Sequence, residues 1–235
     1  EQLGPPQPPE EAPREPYPFW GYGDLALFIG ALIPSFATAI GCLALLRKLA
    51  STSRPVEGII FQILFSLLVV GVLYMTVCVR YGKSFAETFR MRGGFGYLFL
   101  GPLISIAVGA LALRLGAPSV PSPVDMLMAG KRSIVIVGAI VVILGPIVEE
   151  LIFRGFLQPL FSKTLGSVAG VLISALLFGL LHAPQSQWAW QVILAISAAG
   201  AAFGYVRERT GSTVASIAAH VGFNATAFAA YLATH

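Results

Sequence analysis

Charge is what this sequence most lacks. Of its 235 residues, 11% are Asp, Glu, Lys or Arg and 56% are hydrophobic, whereas a soluble domain carries about 25% charged residues. The mean hydropathy is +0.80. With repeated long apolar runs, this deficit places the chain among membrane proteins rather than soluble domains. Cysteine is nearly absent as well. Cys42 and Cys78 lie inside apolar segments, outside any Cys-x-x-Cys or Cys/His cluster, and read as small buried hydrophobes. A concentrated positive charge is missing too. The net +4 is spread over loops, which gives no case for nucleic-acid binding, and no single loop is basic enough to form an anionic-lipid patch.

Three further absences narrow the chemistry. There is no Gly-x-Ser-x-Gly, and neither cysteine has a histidine near it in sequence, so no nucleophile stands out. There is no His-Glu-x-x-His, which counts against a zincin. No inverted repeat is visible, which weakens a transporter reading.

What is present is a chain of apolar segments. Residues 1–18 form a proline-rich tail with several charges and no periodic apolar pattern, which reads as disordered or polyproline-like. Seven hydrophobic segments follow at about 25–46, 58–79, 95–113, 133–148, 166–182, 188–206 and 212–232. They are expected to be helices, because a lone strand cannot satisfy its backbone in lipid and no ten-residue alternating pattern is present. The expected fold is an all-α membrane protein, a polytopic bundle of about seven to eight transmembrane helices around a polar cavity within the membrane. Three parts are expected: the tail at 1–18, three spanning helices with interfacial loops at 19–130, and a core of four spanning helices at 131–235. The loop 80–94 mixes Phe85, Phe89 and Met91 with Lys83, Arg90 and Arg92, a composition suited to a short helix lying on the membrane surface. The fourth segment should run on to about Phe161, kinked at Pro146.

The polar exceptions carry the functional argument. Nine of the eleven acids lie in the tail, in loops or at helix ends, while Glu149 and Glu150 fall inside the stretch GPIVEELIFRGFL. A charge at the bilayer centre costs at least about 2.5–3.5 kcal/mol, which marks such residues as functional candidates. Glu150 and Arg154 are four apart and share a helix face, so they can pair. Glu149 points about 100° away from Glu150 and has no local partner. His182 stands four residues after Phe178 in FGLLH, and His220 four before Asn224 in HVGFN.

Taken singly, each has a structural explanation: an interhelical hydrogen bond for a histidine, a structural pair for Glu150 and Arg154. Together, Glu149, His182, His220 and Asn224 on three segments point to one polar cavity. A carboxylate and a neutral imidazole can hold one water and take its proton. A second imidazole and an amide can stabilise an oxyanion. That set suffices to hydrolyse an amide without a covalent intermediate. The same Glu149, His182 and His220 are also residue types that bind zinc or another divalent metal.

These residues fit an ordered trio: EELIFRG matches Glu-Glu-x-x-x-Arg, FGLLH matches Phe-x-x-x-His, and HVGFN matches His-x-x-x-Asn. The trio resembles the CPBP group, the CAAX-protease and bacteriocin-processing intramembrane endopeptidases, also called the Abi family. ERTGS at 208–212 is similar to a turn that many relatives have, and the resemblance covers about residues 130–232. It implies helices around an intramembrane cavity, cleaving peptide bonds near the bilayer surface. By that analogy Glu149 activates water with His182, while His220 and Asn224 form the oxyanion site. Glu150 and Arg154, with Phe178, support the geometry. No cofactor is implied by the metal-free reading; a divalent metal such as zinc is the alternative. The expected partners are membrane lipid and a peptide or protein substrate, with prenylated and membrane-bound chains among the candidates. The resemblance and the short loops fit an integral membrane protein of the bacterial inner membrane. A non-catalytic scaffold or bacteriocin-immunity protein using the same cavity is the competing function.

Overall fold

The computed structural model describes residues 16–120 and 131–234. They are helical throughout, with no strand among the described residues. Helix α1 (Tyr22–Leu49) runs without a charge from Asp24 to Arg47, so it can lie in lipid with its ionic groups at its ends. Helix α2 (Arg54–Tyr74) returns beside it and closes in a π-helical turn, Met75–Val79. The short α3 (Phe85–Thr88) follows, and a 3-10 segment, Phe95–Leu100, leads into α4 (Gly101–Arg114).

The next element, α5, is a composite rod. It comprises Lys131–Ala139, π-helical Ile140–Leu144, Gly145–Glu150, π-helical Leu151–Leu157, and Gln158–Leu165. Helices α6 (Ser167–Leu181), α7 (Trp190–Thr210) and α8 (Thr213–Thr234) complete the chain.

Each of the seven hydrophobic segments therefore has a helix. Five are long and apolar enough to cross a membrane: Tyr22–Leu49, Arg54–Val79, Phe95–Arg114, Ile134–Leu165 and Thr213–Thr234. The other two differ from that measure for distinct reasons. Helix α6 is short, at 15 residues. Helix α7 has 21 residues, but its buried side is small and polar, with Ser197, Ala199, Gly200, Gly204 and Arg207, which lowers its hydropathy. Side chains on the outside are apolar instead: Ile33, Phe99, Leu113, Val135 and Val168 are each at least three-quarters exposed. In water such a surface would aggregate; in a bilayer it is the solvated face.

Close helix packing rests on glycine. A Cβ on Gly200 would stand 3.1 Å from Phe178 and 3.2 Å from the Ala175 backbone, and one on Gly204 would stand 3.1 Å from Val171. These contacts run in opposite directions along α6 and α7, so the two helices are antiparallel. Gly101 and Gly222 likewise let α4 and α8 meet backbone to backbone.

Several local expectations change. At Pro146 the structure adds a feature to the expected kink. The proline sits between two π-helical turns, the first closed by Gly145 N–H on the Ile140 carbonyl, which absorb the missing donor and the ring by widening the rod. The loop 80–94 is not a surface helix. Its helical part is four residues long, and Thr88 and Phe89 are fully buried, with Phe89 filling the space beside Gly155. Cys78 is buried as expected, but Cys42 is exposed on α1, because that helix turns most of its surface to lipid. Of the proline-rich tail, only residues 16–18 are described, and Tyr17 and Pro18 are packed into the fold through Arg207 and Lys163.

Candidate active site

The two π-helical turns of α5 flank the Glu149–Glu150 pair. A π turn splays its backbone and leaves carbonyls open to a sideways donor. Three such carbonyls are taken by side chains from elsewhere in the fold. Asn224 Nδ2 donates to Val141 at 2.8 Å, Ser174 Oγ to Phe153 at 3.2 Å and Trp20 Nε1 to Phe156 at 3.2 Å. The irregular rod is thus fastened to α8, α6 and the start of the described chain.

Glu150 and Arg154 point into the protein and are both fully buried. Arg154 Nη1 donates to Glu150 Oε1 at 2.9 Å and Nη2 to the Gly200 carbonyl at 2.6 Å. The guanidinium lies 4.7 Å from the Phe178 ring centroid and 5.6 Å from that of Phe203. Ion pairing, a backbone acceptor and aromatic faces together compensate a charge that burial would otherwise make costly. One turn on, Gln158 Nε2 repeats the pattern on the Gly204 carbonyl at 3.0 Å. Gly200 and Gly204 stand in GAAFG, four apart like Arg154 and Gln158, so two equal spacings form one ladder between α5 and α7. Neither Gln158 nor these glycines featured in the sequence reading. The matched spacing was the available signal.

Glu149 faces the other way and its side chain is 26% exposed. The structure brings both histidines to it. His182 Nε2 is 4.0 Å from Oε1, and His220 Nε2 is 3.8 Å from Oε2. The opposite ring nitrogens decide the tautomers. His182 Nδ1 lies 2.8 Å from the Phe178 carbonyl, which can only accept, so Nδ1 carries the proton. In the neutral ring, Nε2 then offers a lone pair toward Glu149. His220 Nδ1 donates to Glu150 Oε1 at 3.0 Å, so Glu150 is held by both Arg154 and His220.

Phe178 packs on both imidazoles, at 4.8 Å from His182 and 5.6 Å from His220. Phe203, unremarked in the sequence, stacks on His220 at 4.5 Å and 19°. Asn224 is the expected residue that stands apart. Among the described residues its one hydrogen bond goes to Val141, and none links it to Glu149, His182 or His220. Nor, among the described residues, is any group of three or more His, Cys, Asp or Glu arranged to hold a metal ion.

Residues 131–226 match the family model described as Type II CAAX prenyl endopeptidase Rce1-like. No curated protein matches the chain, and no solved structure does. The matched region holds the whole of α6 and α7 and every polar group converging on Glu149. Through that region, less than half of its length, this integral membrane protein is similar to the type II CAAX prenyl endopeptidases.

Proposed function

We propose that the chain is an intramembrane endopeptidase in which Glu149 and His182 activate water against a peptide bond. The observation that carries this reading is the tautomer of His182. With Nδ1–H spent on the Phe178 carbonyl, Nε2 and the Glu149 carboxylate are both acceptors 4.0 Å apart, and a water donating one hydrogen to each satisfies both. As the water oxygen bonds to the scissile carbonyl carbon, Glu149 takes one of its protons. The carbonyl π electrons move onto oxygen. When the C–N bond breaks, Glu149 returns that proton to the leaving amine, so the group ends as it began.

His220 serves as the oxyanion donor. Its Nε2, 3.8 Å from Glu149 Oε2, is the ring nitrogen that faces the site and would carry the donated hydrogen. Asn224 has a second amide hydrogen beyond the one given to Val141, and we assign that hydrogen to the same oxyanion. Glu150, Arg154 and Phe178 position the imidazoles. The end of α6 that leads into His182 is apolar on its outside, with Leu177, Leu180 and Leu181 exposed. This suits a substrate that arrives through lipid, such as a membrane-bound or prenylated peptide.

The test is cleavage of fluorogenic peptides, including farnesylated Cys-a-a-X sequences, by the purified protein in detergent. Wild type is expected to cleave in the presence of a strong chelator, and Glu149→Ala and His182→Ala are expected to lose at least about a hundredfold. Turnover by a folded Glu149→Ala variant would overturn the mechanism. Activity lost to chelator and restored by zinc would reassign Glu149, His182 and His220 as ligands.

A further inference from the structure

At the far end of α5 and α7 from Lys131 and Trp190, a second polar site lies outside everything the proposed chemistry uses. A cavity of about 280 Å³ opens between Tyr17, Arg90, Gln158, Ser162, Lys163 and Arg207. We propose that it binds the phosphate group of an anion at the membrane surface.

The charge balance is the first ground. Three cations line the cavity against one carboxylate, Glu208. Arg207 is 5% exposed, yet its hydrogen bonds go to neutral groups, Thr213 Oγ1 at 3.2 Å and the Tyr17 hydroxyl at 3.0 Å. Half-buried Arg90 lies 3.6 Å over the Tyr17 ring, and Lys163 Nζ donates to the Pro18 carbonyl at 2.8 Å. Among the described residues none of the three forms an ion pair. Burying a guanidinium without a counter-charge is costly, and a phosphate bound here would supply one through charge-assisted hydrogen bonds.

Unmatched polar atoms are the second ground. Gln158 Oε1 and Ser162 Oγ are buried without a hydrogen-bond partner, and both residues line this cavity. Ser162 Oγ lies against Gly170 and reaches the cavity only by turning about its Cα–Cβ bond, after which it can donate to a phosphate oxygen; the Gln158 amide oxygen can accept from a headgroup hydroxyl or a water.

Depth is the third. Tyr17 precedes α1, Arg90 lies between α3 and the 3-10 segment, Lys163 is in the last turn of α5 and Arg207 in that of α7. The cavity is therefore level with the ends of the spanning segments, where lipid phosphates sit, and Lys163 is on the order of 20 Å along α5 from Glu149.

Two sources share this chemistry, an anionic phospholipid headgroup and free phosphate. The full chain in lipid-free detergent would be titrated with inorganic phosphate, following Tm, against chloride at equal ionic strength. The same protein would be released from bilayer discs of mixed phosphatidylglycerol and phosphatidylcholine and weighed by native mass spectrometry. A saturating rise in Tm with phosphate, retention of one phosphatidylglycerol, or both, is expected. The first alone identifies free phosphate and the second alone a lipid headgroup. Arg90→Gln/Lys163→Gln, which alters side chains at the cavity mouth, should weaken whichever signal appears about tenfold or more. Arg207→Lys keeps the charge but loses the planar fork, and should weaken it less. Arg47→Gln/Arg54→Gln, at the opposite ends of the helices, should leave it unchanged. Neither signal in wild type, or an equal signal in the Arg90/Lys163 variant, overturns the proposal.

Discussion

The helices before residue 120 and those after 130 use apolar sequence to different ends. The most apolar 18-residue windows of 54–79 and 134–165 have the same mean hydropathy, 2.4, but 22% of the first window is buried and 39% of the second. The two remaining early spans, α1 and 95–114, bury 11% and 6%. The early helices face lipid and keep their ion pairs at their ends: Arg47 with Glu57 at 2.6 Å, and Asp24 with Arg80 at 3.5 Å. The later helices enclose Glu150, Arg154 and His220 near their middles. Average hydropathy therefore does not tell a lipid-facing rod from the wall of a polar site. What distinguishes them is where the rare charges fall, and the family match covers the second region alone.

The sharpest way to break this contrast is to cut the central pair. Arg154→Ala leaves Glu150 buried without its guanidinium partner and should cost about 3–5 kcal/mol, read as a large fall in Tm in detergent. Arg154→Met/Glu150→Leu should recover much of the loss, because removing both charges removes the uncompensated one. A small effect of Arg154→Ala alone would mean that water reaches the pair.

A smaller effect is expected where α5 meets α7. Gly204→Ala would place a methyl 2.9 Å from Gln158 Oε1 and 3.1 Å from Val171, and such overpacking costs about 1–3 kcal/mol. The matched control is Gly41→Ala on α1, where nothing lies within 4 Å of the added methyl. There the change should be neutral or raise stability by up to about 1 kcal/mol, since alanine is the better helix former. Equal losses at both positions would erase the distinction between the regions.

Asn224→Ala should cost about 1–3 kcal/mol by orphaning the Val141 carbonyl. If Asn224 also supports the oxyanion, activity should fall further than stability does, and Asn224→Asp, which cannot donate when ionised, should be as inactive as the alanine variant. Activity that simply tracks Tm would confine Asn224 to fastening the π turn. At the lipid-facing end of the scale, Arg47→Gln should leave Tm unchanged within error, because exposed pairs contribute little.

The seven segments were legible because a spanning helix writes itself as an unbroken apolar run, and Glu149, Glu150 and Arg154 stood out because charge is so scarce around them. The spacing Glu150–Arg154 became a real contact, since residues four apart on a helix need no tertiary information to meet. Phe178 and His182 met for the same reason, at 4.8 Å. The π turns were not legible. They arise where Pro146 and Gly145 occur in a rod whose carbonyls find side-chain donors in other helices, and those donors, Asn224, Ser174 and Trp20, are 21 to 136 residues away. The expected interfacial helix at 80–94 failed similarly: its mixed composition suits a membrane surface, but Phe89 found a tighter place against Gly155.

By itself, then, the sequence determined a membrane chain, the course of its helices and the few polar residues worth watching, because lipid forces every backbone group and every charge to declare itself locally. Only the tertiary structure decided which of those residues meet, which nitrogen of each histidine faces Glu149, and that Arg90, Lys163 and Arg207, scattered over three segments, line one cavity. Hydropathy is a property of neighbours along the chain; tautomers and shared cavities are set by partners that the chain brings together only on folding.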